Sequence, residues 1–522
     1  MAQDFDAVFI GAGHNALASA IMLAQAGWRV ALFERGAVPG GAVQSGEYTL
    51  PGFRHDWAAM NLSLFAGSPF VAAHGAALTR HGLAFAPAAD CFASVFEDGR
   101  WLGVSTDLEA TAARIAGFSP RDAQVWRDMA AAFPGRAPHL FAALGAPPRI
   151  GAFASIAAGA LRGRGLRDSL AMAGLLRASA RDWLGQHFES PQLRAMMAAW
   201  GMHLDFAPDV PGGAVFPYLE SMANQGFGMA LGQGGADVAI RAMTGLLAEL
   251  GGVIETGAEV TAITRDGQRA TGITLADGRT IIARRAVIAG VAPAALVRLA
   301  GPMAPGFDRA MCSFRHAPGT MMIHLALDAA PDWRAGTELQ RFAYVHIAPD
   351  LDMMQRAYDQ ARQGLLPARP VLVVGQPCAV DPGRAPNGKA ILWVQVRMAP
   401  GIIAGDGAGQ IAARDWSEAA APFAARAIDL IEAHAPGLRA RIIGQRVVTP
   451  VELEASNPNL VGGDQICGSH HLGQHFLRRP ARGHADGSTP LENLWLTGAA
   501  VWPGAGTGAG SGRLLAENLL TN

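Results

Sequence analysis

"DAVFIGAGHNALASAIMLAQAGWRVALFER", Asp6 to Arg35, runs from a short apolar strand through a glycine loop into an alanine-rich helix, then into a second apolar strand that ends in an acid. Gly11 permits the tight turn, Gly13 lets a pyrophosphate approach the backbone, and Ala16 is small enough for the helix to pack on the strand. The pyrophosphate then meets the unpaired N–H groups and positive dipole end of the helix. Glu34 follows at the expected distance, about 20 residues on, placed to accept from a ribose 2′-hydroxyl. Strand, loop, helix, Gly27 turn, strand and acid stand in register, so the loop is read as binding an adenine dinucleotide.

Two further stretches decide which dinucleotide. Downstream of Glu34, "RGAVPGGAVQSG" offers Gly40 and Gly41 for another close backbone approach. At the far end, "LENLWLTGAAVWPGAGTGAGSGRLLAENLL" reads as a strand (494–497), a glycine-rich turn (498–512) and a helix. No strand and acid follow it to complete a second nucleotide loop. It is therefore expected to rejoin the first sheet and aim its helix N-terminus at the same ligand. A ligand touched by residues 11–41 and again by 498–512 is long, which favours FAD over NAD. Between them, "GQGGADVAIRAMTGLLAELGGVIETGAEVTAI" predicts a helix (236–250) and a strand reaching Val260. Hairpins at Asp266-Gly267 and Asp277-Gly278 follow, and "AVIAG" (286–290) returns to the sheet.

The bulk numbers set limits. A chain of 522 residues is too long for one core. Half the residues are hydrophobic, 16% are charged and the net charge is −1, with a mean hydropathy of +0.18. No field or basic run exists to attract nucleic acid. Cys91, Cys312, Cys378 and Cys467 form no C-x-x-C pair, which argues against a disulfide framework, a dithiol centre or a zinc cluster and fits a reducing, cytoplasmic setting. The first strand begins too early for a signal peptide, and no apolar run is long enough to cross a bilayer. "IGAFASIAAGAL" (150–161), about 18 Å long as a helix, is read either as a buried or lid helix or as an interfacial segment.

These motifs together resemble the phytoene desaturase-like flavoproteins across most of the chain. That group includes bacterial phytoene desaturases, a class of carotenoid ketolases, retinol saturase and pyridine nucleotide-disulfide oxidoreductase domain-containing protein 2 of animals. "FIGAGHNALASAIMLAQAGWRVALFERGAVPGGAV" is similar to their N-terminal FAD signature, "PGFRHDW" to a Pro-Gly-Phe segment with an acid after it, and "NLWLTGAAVWPGAGTGAGSGR" to their C-terminal flavin signature. "RDWLGQHFESPQLRAMMAAWG" and "IIGQRVVTPVELEASNPNLVGGD" favour the ketolase-like and animal-type branch.

The resemblance implies an α/β fold: a Rossmann-like FAD domain with an inserted β-meander, interleaved with an α+β substrate domain. The expected division is 1–65, 224–299 and 485–522 against 66–223 and 300–484, with 150–185 a lid or membrane-facing helical part. It implies FAD contacts from Gly11, Gly13, Ala16, Glu34, Arg35, Gly40, Gly41, Val260, Gly498, Ala499 and the turn Thr507, Gly508 and Ala509. Their neighbours His14, Asn15 and Ala42, and Gly290 at the end of the returning strand, join that set.

The implied function is FAD-dependent oxidation, hydride leaving an apolar, isoprenoid- or lipid-like substrate for flavin N5, with oxygen or quinone as electron acceptor. The substrate reaches the flavin through an apolar tunnel, in many members from a membrane. Two other readings stay open: oxidation of a smaller polar metabolite, and a flavin-binding interaction protein without turnover. Amine-oxidising members of the wider superfamily use a lysine–water pair at N5, and the sole lysine, Lys389, sits in a turn-like "APNGKAILW". Candidate catalytic residues are His55 and Asp56, the histidines of "CGSHHLGQHFLRRP" (His470, His471 and His475), and Trp502, which replaces the histidine of a common His-Pro-Gly and is expected beside the flavin ring. One or two of the three histidines read as acid–base groups facing the flavin; the alternative is a hydrated loop or a structural hydrogen-bond cluster, and their spacing dictates no metal site.

Overall fold

The computed structural model describes residues 3–506 and 508–521; Thr507, named above as a flavin contact, lies outside them. The opening motif folds as its spacing predicts. Strand Gln3–Ile10 leads into helix His14–Gln25 and strand Val30–Glu34. The two strands pair in parallel, with Ala7 opposite Val30 and Ile10 opposite Phe33. Val8, Phe9, Ala31 and Leu32 are fully buried, as strands covered on both faces require.

The meander strands Val260–Asp266 and Arg269–Leu275 run into Thr280–Ala289, a ten-residue strand that forks the sheet. Its first half pairs antiparallel with Arg269–Leu275. Its last residues, Val287 to Ala289, pair in parallel with Leu494–Leu496. Its other edge holds Gln3–Ile10. The expected single strand up to Val260 is two: Val253–Thr256 closes the outer edge beside Val30–Glu34, and a turn precedes Val260. The last helix, Gly510–Thr521, returns to lie against His14–Gln25. A Cβ on Gly512 would fall inside the van der Waals radius of the Asn15 carbonyl oxygen. Only glycine lets these two helix N-termini sit side by side.

A second seven-stranded sheet, mostly antiparallel, is built from residues 90–105, 319–399 and 442–448. Its two longest strands, Gly319–Leu327 and Ala390–Ala399, pair with each other and are buried along their whole length. Helix Ile150–Leu175 is longer than the apolar run suggested and breaks at Gly165, whose φ is +77°. Asp168 ties it to the neighbouring helix Pro120–Gly145 through Arg136 at 2.5 Å. Ile150 (76% exposed), Leu166 (64%) and Leu170 (62%) face solvent. Among the described residues no helix is long and apolar enough to cross a membrane.

Candidate active site

A cavity of about 1700 Å³ separates the two sheets, well above the roughly 300–1,000 Å³ of an ordinary small-molecule pocket. One part is backbone. Gly11, Gly13, His14, Asn15 and Ala16 line it from the first loop and helix; Glu34, Arg35, Gly40, Gly41 and Ala42 follow. Val260, Gly290, Gly498, Ala499 and Gly508 enclose it from the other segments. Ala509 does not line it: with φ +57° it turns inward and packs in the core beneath the two helices.

Gly13 tests whether this cradle suits a dinucleotide. Its φ of −70° is open to any residue, and a Cβ there would meet nothing within 4 Å. Neither backbone nor packing requires glycine; only a close ligand does. Glu34 is held for its task by two backbone donors, Ala12 N–H to Oε2 at 2.9 Å and Gly36 N–H to Oε1 at 2.7 Å. Glu34 also lines the cavity. His14 is kept neutral by burial, its pKa lowered to about 4, so no charge opposes the helix N-terminus.

None of the six candidate catalytic side chains lines the cavity. Asp56 is fully buried and fully used: Oδ1 accepts from Ser45 Oγ (2.6 Å) and Ala236 N–H (2.7 Å), and Oδ2 pairs with Arg384 at 3.0 Å. His55 bonds Thr49 Oγ1 at 2.8 Å and stacks edge-on to His324; burial, then the Arg384 charge, lower its pKa to about 3. Both build the scaffold. Trp502 turns away from the cavity. Its Nε1 donates to the Ala146 carbonyl at 2.8 Å, and its ring stacks on Phe476 and meets Phe153. Burial holds His470 neutral, and its Nε2 accepts from Ala505 N–H at 2.9 Å, bracing the glycine loop from behind. His475 packs on His470 and Trp502. His471 faces Asp205 instead, Nε2 at 3.2 Å from Oδ2. Three histidines close in sequence thus serve a strut, a packing contact and a polar contact with Asp205. Arg479, fully buried, fastens their loop to the Ala499 carbonyl at 2.7 Å.

The groups that do face the second part of the cavity escaped the sequence reading. Tyr344 and Trp393 stack at 5.8 Å, with Trp200 nearby. Leu219, Glu220, Ala223 and Phe227 line it from one face of helix Val215–Phe227. Glu220 makes no ion pair among the described residues, and burial raises its carboxyl to about 7. Burial, with the Asp56 and Glu220 charges behind it, keeps the Tyr344 phenol protonated. Gln395 and Arg397 complete this wall. Lys389 sits exposed in a surface turn. No pattern marks such residues: each is a single side chain brought in by a different element.

A glycine cradle at paired helix N-termini, opening onto an aromatic chamber, defines a flavoprotein oxidoreductase. Comparison with known proteins agrees. The family described as flavin containing amine oxidoreductase matches residues 17–400, and the chain belongs to it. Pyridine nucleotide-disulfide oxidoreductase domain-containing protein 2 of Mus musculus is 28% identical over 98% of this chain and 92% of its own. Hydroxyneurosporene desaturase of Cereibacter sphaeroides is 29% identical over 99% and 97%. The protein is an FAD-dependent oxidoreductase of the phytoene desaturase-like group. Its fold is shared with an oxidoreductase of Methanosarcina mazei (TM-score 0.62, 17% identity, 99% of this chain and 100% of that one). Putrescine oxidase shares it too (0.57, 15%, 99% and 98%).

Proposed function

We propose that this enzyme dehydrogenates an apolar, lipid-like substrate, with FAD held by Gly11, Gly13, Glu34, Gly41, Gly498 and the N-termini of helices His14–Gln25 and Gly510–Thr521. Bound FAD supplies two-electron acceptor chemistry; the chain's own residues bind, orient and manage protons. The observation that carries the reading is the chamber beyond the cradle, walled by Leu219, Phe227, Tyr344 and Trp393. Leu64, Phe141 and Phe227 line the cavity and are also exposed, so they mark its mouth. The exposed leucines of helix Ile150–Leu175 suit contact with a membrane surface, from which an apolar substrate would enter. We place the enzyme in the cytoplasm on this reading, with oxygen or quinone reoxidising it.

Forming an alkene from two adjacent C–H bonds removes a hydride and a proton. Glu220 is the carboxylate available to hold that proton, and a base with a pKa near 7 is matched to neutral pH. A second reading, oxidation of an amine, draws on the same carboxylate beside Tyr344 and Trp393, which would suit an ammonium group. Anaerobic mixing separates the readings. Lipid extracts are expected to bleach the oxidised flavin band, while putrescine and cyclohexylamine leave it intact; the reverse pattern would favour the amine.

Glu220 also sets a pH dependence. Its folded pKa stands above the ordinary carboxylate value, so its contribution to stability is fully present at low pH and lost as pH rises through about 7. Wild-type thermal stability is expected to fall between about pH 4.5 and 7, and Glu220→Gln to flatten that fall. Flavin reduction by substrate should rise with a midpoint near pH 7 in the wild type and lose that limb in the variant. A variant with the wild-type pH profile in both measurements would remove Glu220 from the proton path.

A further inference from the structure

Strand Ala390–Ala399 presents Trp393, Gln395 and Arg397 in succession on one face, and all three line the cavity. An aromatic surface therefore gives way, within five residues, to a buried cation. Arg397 is 4% exposed and Gln395 6%. The Arg397 guanidinium donates through Nη1 to Thr320 Oγ1 at 3.0 Å, and through Nη2 to the carbonyls of Met202 (3.0 Å) and His203 (2.9 Å). All three acceptors are neutral. Among the described residues no carboxylate pairs with it. Asp464 and Asp205 act on it through space without touching it; Asp464 is bonded to the N–H groups of Ala317, Ile466 and Gly468, and Asp205 Oδ2 meets His471 while its Oδ1 has no partner. Burial lowers the Arg397 pKa only to about 10, so it remains a cation at neutral pH. A buried cation with no carboxylate in contact is disfavoured unless something completes it.

The unmade hydrogen bonds point the same way. Arg397 Nε and Gln465 Nε2 are buried donors without a partner. Gln465 is held beside the strand by Gln395, whose Nε2 donates to its Oε1 at 2.7 Å. Gln395 Oε1 is a buried acceptor without a partner. Buried polar groups are rarely left unpaired except where a ligand or water completes them. The backbone is bent at this point: Met398 has φ +61°, and the register with Gly319–Leu327 slips there by one residue, Gly319 facing Ala399 while Thr320 faces Arg397. Such a bulge re-aims a neighbouring side chain and is common beside active sites.

We propose that Arg397 and Gln465 form a carboxylate-binding subsite in the buried wall of the cavity, so that the substrate is an apolar chain carrying a carboxylate rather than a pure hydrocarbon. Two donors and one positive charge match a planar monoanion. A phosphate or diphosphate fits poorly, because Gln395 Oε1, an acceptor, would face its additional oxygens. The inference rests on the apolar-substrate reading and narrows it.

The test uses the FAD-loaded full chain with two probes, tetradecanoate and tetradecanol, titrated at pH 7.5 against the fluorescence of the cavity tryptophans. Wild type is expected to bind the acid at least about tenfold more tightly than the alcohol. Arg397→Gln should bring the two affinities together while keeping affinity for the alcohol and the flavin. Gln465→Leu should narrow the gap by several-fold, and it serves if the Arg397 variant does not fold. Equal binding of both probes by the wild type overturns the carboxylate subsite and leaves the apolar reading standing. Binding of neither overturns both. A preference for the acid that survives both substitutions places the anion elsewhere and overturns the assignment to Arg397.

Discussion

Gly512→Ala is expected to yield a protein that loses both flavin and stability, whereas Gly13→Ala loses flavin alone. The added methyl at residue 512 collides with backbone, the Asn15 carbonyl, which has no rotamer to escape into. The two helices must part, and overpacking of this kind costs about 3 kcal/mol. Both N-termini then leave their common target. At Gly13 the methyl enters open space and the backbone angle suits alanine. The fold should therefore stand, while the pyrophosphate approach is blocked. Flavin-to-protein absorbance of the purified variants, read beside thermal unfolding without added FAD, tells the two apart. Full flavin content in Gly512→Ala would falsify the shared helix-terminus site.

Asp56→Ala should produce the other large effect, again on stability. Arg384 and Asp56 pair at 3.0 Å with both side chains wholly out of solvent, and removing one partner of a buried pair costs about 3–5 kcal/mol. The pair joins the short hairpin Ser45–Gly46/His55–Asp56 to the turn before helix Val238–Glu249, through Ala236 N–H and the Gly232 carbonyl. Arg384 also reaches Asp381 at 2.9 Å. Arg384→Met should be comparably destabilised, and the double variant should cost less than the sum of the two singles. A catalytic Asp56 demands the opposite outcome: a variant that melts like the wild type and cannot be reduced by substrate. Urea unfolding of the three variants decides between them.

The nucleotide-binding half was legible because its determinants are local. Gly11, Gly13, Ala16, Gly27 and Glu34 stand in one continuous stretch whose spacing is set by strand and helix geometry, and residues 494–512 repeat the strand-to-helix logic. The chamber was not legible, because its groups come singly from distant elements: Glu220 from a helix, Tyr344 and Trp393 from two strands, Gln465 from a loop. Nothing in the sequence near Arg397 says that its guanidinium lacks a carboxylate. The misreadings have the same root. His470, His471 and His475 look like one cluster on paper, but partners remote in sequence, Ala505, Asp205 and Trp502, draw them apart. Trp502 was expected at the flavin because of its neighbours Pro503 and Gly504, which do line the cavity. The Ala146 carbonyl holds its indole on the opposite side.

The forked strand Thr280–Ala289 bears on how the nascent chain matures. Val287 and Ile288 are wholly buried in the finished protein, yet the strand that covers their edge, Leu494–Leu496, leaves the ribosome some two hundred residues later. Throughout that interval an apolar ribbon waits with open backbone, and open edges of this kind recruit other chains. Closure of that edge therefore waits for the later segment, and added chaperone during synthesis should raise the yield of usable protein.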